Sequence, residues 1–330
     1  MGLAETERQH LAELTQLAAR TVTASTTIDW PSGPTPASVA EVLRSLEFAI
    51  NRRLDGQLHG QHQGITPGHG SEPGESRSYQ PGDDVRRIDW NVTARTRELH
   101  VRDQIADRDL EAWLVVDVSA AMHFGTMHST KAQIALAAAA TVGFLTARNQ
   151  NRLGSVLVAG PHLKITPPRL GRDNVRAILR SVADSPDTEG AGRGDLSEAL
   201  HRVGALSKRR GFICVISDFN GTEWSSAMSA LAMRHDLLAI GIVDPREFDV
   251  PPIGLVTFAD PSTGSTREMM VTADVQRRFA DLAAAKREER ERTVRSSGSD
   301  WLELSTDSDW LSEIAAHVRR RRLRPAMVHR

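Results

Sequence analysis

The stretch Trp113-Leu-Val-Val-Asp-Val-Ser119 decides the fold. Its first four residues form a continuous apolar run of strand length, which is typical of a strand buried on both faces in a parallel sheet. The same pattern returns in Phe212-Ile-Cys-Val-Ile216, closely followed by Asp218, and in Leu237–Val243, followed by Asp244. Three apolar strands therefore lead into an aspartate.

Segments with helical periodicity separate these strands along the chain. The predicted helices cover Thr130–Asn149, 173–183, a segment that Asp195 and Glu198 begin as a capping box, and 224–234, and two further strands are predicted at Leu153–Val158 and Leu163–Thr166. Strands that alternate with helices imply a doubly wound, mostly parallel sheet covered on both faces. The chain is therefore assigned to the α/β class.

The position of the aspartates predicts a site. In open α/β sheets, ligands bind beyond the carboxyl ends of the strands, where the strand order reverses. If the order resembles 3-2-1-4-5, the strand ending at Asp117 is the first and the one leading into Asp218 is the fourth, so the two are neighbours. Two carboxylates at this point attract a hard cation such as Mg²⁺, which prefers oxygen ligands.

Composition excludes several classes of protein. The chain has 330 residues with 41 Lys+Arg against 42 Asp+Glu, a formal net charge of −1, so it is not a polycation built to bind nucleic acid. The single cysteine, Cys214, excludes an intrachain disulfide and a multi-cysteine zinc site. The longest apolar run, Ile134–Leu145, is shorter than the roughly 20 residues that a membrane span needs. We expect a soluble cytoplasmic protein without a transmembrane segment.

Four regions are predicted along the chain. Residues 1–35 form an N-terminal helix and linker, 36–110 a distinct N-terminal region, 111–272 the α/β domain, and 273–330 a C-terminal helical region. A hairpin with Gly264 between its strands is predicted within 255–272. The last helix, 309–323, ends in Arg319–Arg322, for which we predict a solvated helix C-terminus.

A dense polar segment, Tyr79-Gln-Pro-Gly-Asp-Asp-Val-Arg-Arg-Ile-Asp-Trp90, lies ahead of the first buried strand. One interpretation makes it a docking surface or part of a polar pocket. The favoured interpretation is an ion-pair network that pins an irregular segment, with Trp90 as its apolar anchor, because Arg–carboxylate pairs hold loops rigidly. The residues concerned are Tyr79, Gly82, Asp83, Asp84, Arg86, Asp89, Trp90 and Arg95.

These motifs resemble one bacterial family. The Tyr79–Trp90 pattern, then Ala94-Arg95, Leu99-x-Val101-Arg102 and the Asp-x-Ser strand end, is similar to the domain-of-unknown-function family numbered fifty-eight. The similarity extends over roughly residues 42–323. It implies a von Willebrand factor A-like core and a gene usually found beside MoxR-type AAA+ ATPases. It further implies a non-enzymatic adaptor or partner of such an ATPase, acting in chaperone-like assembly or maturation of a client protein.

The resemblance also implies a metal-ion-dependent adhesion site, which is degenerate here. Its Asp-x-Ser-x-Ser motif falls on Asp117, Ser119 and Ala121, its threonine falls on Gly194, and its second aspartate on Asp218. Alanine and glycine offer no side-chain oxygen, although Asp195 could substitute. The favoured interpretation is that Asp117 and Ser119 hydrogen-bond the loop and cap the following helix. No cofactor is then expected, and Mg²⁺ on Asp117, Ser119 and Asp218 is the alternative.

An enzymatic alternative is a metal-dependent hydrolase or phosphatase that uses Asp117 and Asp218. Haloacid-dehalogenase-type phosphatases also place an aspartate after the first strand, but they need a second acid two residues later as general acid. That position is Ser119, which cannot protonate a leaving group at neutral pH. The sequence therefore favours a protein that is not an enzyme.

Overall fold

A computed structural model describes residues 41–51, 76–79, 88–102, 110–127, 129–185, 194–259 and 265–323. Its strands are β1 (Ser76–Ser78), β2 (His100–Arg102), β3 (Glu111–Asp117), β4 (Arg152–Ala159), β5 (His162–Arg169), β6 (Phe212–Ser217), β7 (Asp236–Val243), β8 (Gly254–Ala259), β9 (Thr266–Val271) and β10 (Asp300–Ser305). Its helices are α1 (41–51), α2 (Trp90–Thr96), α3 (Lys131–Arg148), α4 (Arg172–Ala183), α5 (Leu196–Leu206), α6 (Ser225–Ala232), α7 (Ala273–Ser296) and α8 (Trp310–Leu323).

The central sheet has six strands in the order β10-β7-β6-β3-β4-β5. All neighbouring pairs are parallel except β4 with β5, which is antiparallel. Strand β3 lies between β4 and β6, with Asp117 paired to Val158 and Val116 paired to Ile216. The predicted α/β class, the mostly parallel sheet and the adjacency of the strands that lead into Asp117 and Asp218 are confirmed.

Helices cover the two faces of this sheet and define two apolar cores. Alternate residues of β3 point to opposite sides, so Leu114 and Val116 join one core, and Trp113 and Val115 join the other. The first core is packed by α1, α3, α4 and α8, and the second by α5, α6 and α7. None of the helices in the described part of the chain is long and apolar enough to cross a membrane.

The C-terminal region adds a strand to the sheet, whereas the sequence predicts only helices over 273–330. Strand β10 pairs in parallel with β7, and Trp301 opposes Ala239 in the register. The neighbouring Gly241 is required here, because a Cβ at this position would overlap the Trp301 ring. The α/β sheet therefore draws on residues beyond the predicted boundary at 272.

The sequence predicts that the arginine cluster at the end of α8 is solvated. This prediction does not hold for Arg321. Arg321 forms ion pairs with Asp236 and Asp300, and its guanidinium lies 5.4 Å from the centre of the Phe212 ring. An arginine in this position ties α8 to the ends of two strands.

The predicted hairpin is confirmed as the antiparallel pair of β8 and β9.

Strand β1 pairs antiparallel with β2, and helix α2 lies between them in sequence. Asp89, which is buried, caps α2 by accepting hydrogen bonds from the backbone N–H groups of Asn91 and Val92. Trp90 is 68% exposed, so the prediction that it is an apolar anchor is wrong. The physical reason is that Asp89, at the start of α2, turns inward to accept hydrogen bonds from the first backbone N–H groups of the helix. Helix α2 itself buries no residue, so Trp90 stays at the surface.

Of the other residues of this motif, the structure describes Tyr79 and Arg95. Tyr79 is half-buried and its backbone N–H donates to the carbonyl of Leu99. Arg95 is exposed and donates from Nε to the carbonyl of Asn91, one turn earlier in α2. Gly82, Asp83, Asp84 and Arg86 lie outside the described residues, as does the predicted helix and linker of 1–35. The ion-pair network itself stays a prediction.

Candidate functional site

A cleft opens at the carboxyl ends of β3 and β6, and we call it the carboxylate cleft. It encloses about 320 Å³. Its lining consists of Asp117, Ser119, Ala121, Gly194, Asp195, Leu196, Ser197, Ser217, Asp218, Asn220, Glu223 and Trp224. All six residues that the sequence predicts for the degenerate metal or partner-binding loops are therefore brought together. The other six lie in or beside the same loops, with Leu196 and Ser197 in the first turn of α5 and Ser217 at the end of β6, and carry no motif that singles them out.

Asp117 holds the first loop of the cleft in place. Its Oδ1 accepts a hydrogen bond of 3.0 Å from the backbone N–H of Ser119, and its Oδ2 accepts one of 2.8 Å from the Ser217 hydroxyl. Burial, and then the negative charge of Asp218, raises the pKa of Asp117. The predicted loop-holding role is confirmed for Asp117, whereas Ser119 begins a 3-10 turn, Ala120–His123, without a side-chain cap.

Asp218 lies on a strained turn that follows β6. The next residue, Phe219, has a φ of 50°, a left-handed conformation that is rare for a bulky side chain. Its buried ring packs edge-on against Trp224 and Trp301, with ring centres 5.2 and 5.6 Å away. This aromatic packing offsets the backbone strain and leaves Asp218 and Asn220 on the cleft.

Lys131 is a site residue that the sequence analysis missed. It is the first residue of α3 and is 2% exposed. Its Nζ donates to Oδ2 of Asp218 at 3.2 Å and to Oε1 of Glu247 at 2.6 Å. Burial lowers the pKa of this lysine, but the charges of Asp218 and Glu247 outweigh burial and raise it, so the ammonium stays protonated. The available signal was a lysine at the start of an otherwise alanine-rich, buried helix.

Asp244, the third strand-end aspartate, holds the neighbouring loops together. Its fully buried carboxylate accepts hydrogen bonds from the N–H and hydroxyl of Thr126, the hydroxyl of Thr306 and the N–H of Arg246. Burial raises the pKa of Asp244, but these hydrogen bonds outweigh burial and lower it. Its own N–H donates to Glu247, the residue that also binds Lys131. Asp218 and Asp244 are therefore connected through Lys131 and Glu247.

The donor set of the cleft does not fit Mg²⁺. Ala121 has no side-chain oxygen, and a Cβ at Gly194 would lie 2.5 Å from Cγ1 of Val158, so the packing excludes a threonine there. Asp195 uses Oδ1 to accept from the N–H of Glu198 and cap α5. Within the described part of the chain, no group of three or more His, Cys, Asp or Glu side chains is arranged to hold a metal ion.

The rim of the cleft continues into an exposed apolar loop. Phe124 and Met127, which follow the 3-10 turn, are 40% and 42% exposed. The ring centre of Phe124 is 6.0 Å from Nζ of Lys131. A polar cleft therefore lies beside a loop that exposes an aromatic and a methionine side chain.

The ionisable side chains that line the cleft are the carboxyl groups of Asp117, Asp195, Asp218 and Glu223. Of the described residues that line it, none is a histidine, cysteine or lysine. Ser119 has no histidine partner within this lining. Both oxygens of Asp117 already accept hydrogen bonds from the loops. The arrangement positions loops and presents a surface.

Comparisons with known proteins place these features in a family context. A family model described as "Protein of unknown function DUF58" matches residues 75–290. Uncharacterized protein Rv1480 of Mycobacterium tuberculosis is 46% identical over 285 residues, which cover 86% of this chain and 90% of that protein. Uncharacterized protein MAV169 of Mycobacterium avium is 41% identical over 157 residues, covering 47% of this chain and 93% of that protein.

Two solved structures resemble the fold at a low level. The conserved hypothetical protein BatB from Bacteroides thetaiotaomicron has a TM-score of 0.43 and 13% identity, covering 64% of this chain and 98% of that one. An aerotolerance-related membrane protein from Bacteroides fragilis has a TM-score of 0.41 and 12% identity, covering 64% and 99%. Similarity at this level does not specify a function.

Proposed function

The chain belongs to the DUF58 family of proteins of unknown function, and on that premise we propose that it is a non-enzymatic interaction module with a von Willebrand factor A-like core. The support for this core is the sheet order, in which the first strand of the α/β domain lies between the second and the fourth, and the third is antiparallel. The loops after the first and fourth strands then form the ligand-binding edge.

The partner in this proposal is a MoxR-type AAA+ ATPase, with the chain acting as an adaptor in assembly or maturation of a client protein in the cytoplasm. The family resemblance in the motifs at Tyr79–Trp90 and Asp117–Ser119 suggests this partner. The observation that carries the docking role is the exposed apolar loop with Phe124 and Met127 beside the carboxylate cleft. Large apolar side chains at a polar rim are the groups that contribute most to protein binding.

A binding measurement with two matched variants tests this function. The ATPase from the same genome is titrated with the wild-type chain, with Phe124→Asp and with Met233→Asp. Met233 is 83% exposed and ends α6 just before β7, at the opposite edge of the sheet from the cleft. We expect Phe124→Asp to weaken the affinity by about tenfold or more, because a charge replaces a contact at the interface.

Met233→Asp should bind as the wild type does, and both variants should keep the wild-type circular dichroism spectrum. Equal loss in the two variants, or no binding of the ATPase by the wild type, would remove the proposal that this face docks it.

A further inference from the structure

We propose that the Lys131 ammonium, which binds the cleft residue Asp218 without lining the cleft itself, supplies the positive charge that a divalent ion supplies in metal-dependent adhesion sites. The inference goes beyond the proposed docking function, because it concerns how the site is assembled and does not require the ATPase. It rests on the position of one buried lysine between two carboxylates, Asp218 of the cleft and Glu247 of a neighbouring turn.

Charge balance is the first argument. Asp117 and Asp218 are each 8% exposed at the ends of adjacent strands, and Glu247 is nearby on the turn after β7. Buried carboxylates that lie close together destabilise each other unless a cation compensates them. Lys131, which is 2% exposed, donates to both Asp218 and Glu247 and so meets this need at the two side chains, while Arg290 donates to the backbone carbonyl of Asp218.

The ammonium is also held rigidly, which is the second argument. Thr130 and Gln133 form a capping box that fixes the first turn of α3. The backbone N–H of Lys131 donates to the carbonyl of Phe124 at 2.9 Å, so the same residue secures the apolar loop. A cation that is part of the chain loses no translational freedom when the site forms, and it is present at every concentration of free metal.

The third argument is that the opposite side of the cleft lacks what a metal would need. Ala121 and Gly194 replace the two further oxygen donors, and Val158 fills the space beside Gly194. Oδ2 of Asp218 is engaged by Lys131, and Oδ1 accepts from the N–H of Asn220. Mg²⁺ demands near-octahedral oxygen coordination and gives up its water reluctantly, so it competes poorly with the lysine.

Thermal unfolding of three forms of the full chain, each in EDTA, in millimolar Mg²⁺ and in millimolar Mn²⁺, tests the inference. The forms are the wild type, Lys131→Met, which keeps the length of the side chain without its charge, and Lys131→Met/Asp218→Asn, which removes both charges of the pair. The wild type should have the same Tm in all three solutions.

Lys131→Met in EDTA should have a Tm lower by on the order of 5–10 °C, because a buried carboxylate loses its partner. Mn²⁺ or Mg²⁺ should recover about half of that loss by binding the freed carboxylates. The double variant should regain most of the wild-type Tm in EDTA and should not respond to metal, which excludes a general effect of the ions.

Three results would overturn the inference. They are a wild-type Tm that rises with Mg²⁺ or Mn²⁺, a Lys131→Met variant as stable as the wild type, and a destabilised Lys131→Met variant that neither ion restores. If Lys131→Met does not fold alone, the double variant and the wild type carry the test, since a metal response in either contradicts the inference. ATPase binding is not measured in any arm, so this result is independent of the proposed function.

Discussion

Asp244 shows how much one buried side chain can organise. Its carboxylate accepts hydrogen bonds from three loops, through Thr126, Thr306 and Arg246, at distances of 2.6 to 2.9 Å. Hydrogen bonds to an ionised acceptor are stronger than those between neutral groups. The loop that carries Met127 is therefore fixed by a residue outside the carboxylate cleft.

Replacing Asp244 by alanine should lower the free energy of unfolding by about 3 kcal/mol at pH 7, because four donors, among them the hydroxyl of the buried Thr306, lose their acceptor. Chemical denaturation measures this difference. Asp173→Ala is the matched control, since the Asp173 side chain is 98% exposed and its ion pair with Arg176 should contribute less than about 0.5 kcal/mol.

The pH dependence of this effect follows from the direction of the pKa shift. The pKa of Asp244 is lower in the folded protein than its unfolded value of about 3.9. The stabilisation is therefore complete above the unfolded pKa and is lost as the pH falls through the folded pKa. We expect the difference between wild type and Asp244→Ala to be constant from pH 5 to pH 7 and to shrink below about pH 4. A difference that grows on acidification contradicts the proposed role.

Single residues also show what the sequence can and cannot predict. Asp117 and Asp218 were predicted as neighbours because the carboxyl ends of parallel strands meet at one edge of a sheet. Lys131 was not predicted, because its direction depends on how α3 packs against the sheet, and periodicity places the start of a helix only to within a residue or two. The lysine at the start of an alanine-rich helix was a local signal of its burial, but its partners lie 87 and 116 positions away and have no local signal.

At the scale of elements, helix α2 shows the same limit. The sequence predicts an irregular segment with an inward Trp90, whereas the structure has a short helix capped by Asp89 with an exposed tryptophan. An aspartate ahead of a tryptophan is compatible with an irregular segment and with a capped helix, since aspartate favours turns and N-caps alike. Strand β10 was missed for a related reason: six residues after a long helix give too short a pattern to oppose a helical prediction.

The cap makes a direct prediction for this element. Asp89→Ala should lower the free energy of unfolding by about 1 kcal/mol or more, because the amides of Asn91 and Val92 lose their acceptor. Trp90→Ala should change it by less than about 0.5 kcal/mol, because a side chain so exposed contributes little to packing. Chemical denaturation of the two variants side by side decides between this arrangement and the predicted tryptophan anchor. If Trp90 were the anchor, Trp90→Ala would lower the free energy of unfolding more than Asp89→Ala.

At the scale of the whole molecule, the order of the strands in the sheet determines which loops meet at the carboxyl ends of the strands. The order of strands brings β3 and β6 together, and the loops that follow them supply the carboxylate cleft and the apolar rim. Alternation of strands and helices predicted the α/β class, whereas the strand order entered the sequence analysis as a condition, chosen from the few topologies that doubly wound sheets follow. The chemistry of the cleft depends on residues that only the folded chain brings together.

The central claim is that this edge of the sheet is a docking face that needs no divalent metal. The most direct measurement is the affinity of the wild-type chain for the nucleotide-free MoxR-type ATPase, titrated once in EDTA and once in millimolar Mg²⁺. The account predicts the same Kd in both solutions. Binding that appears only with Mg²⁺, or an ATPase that does not bind in either solution, would contradict it.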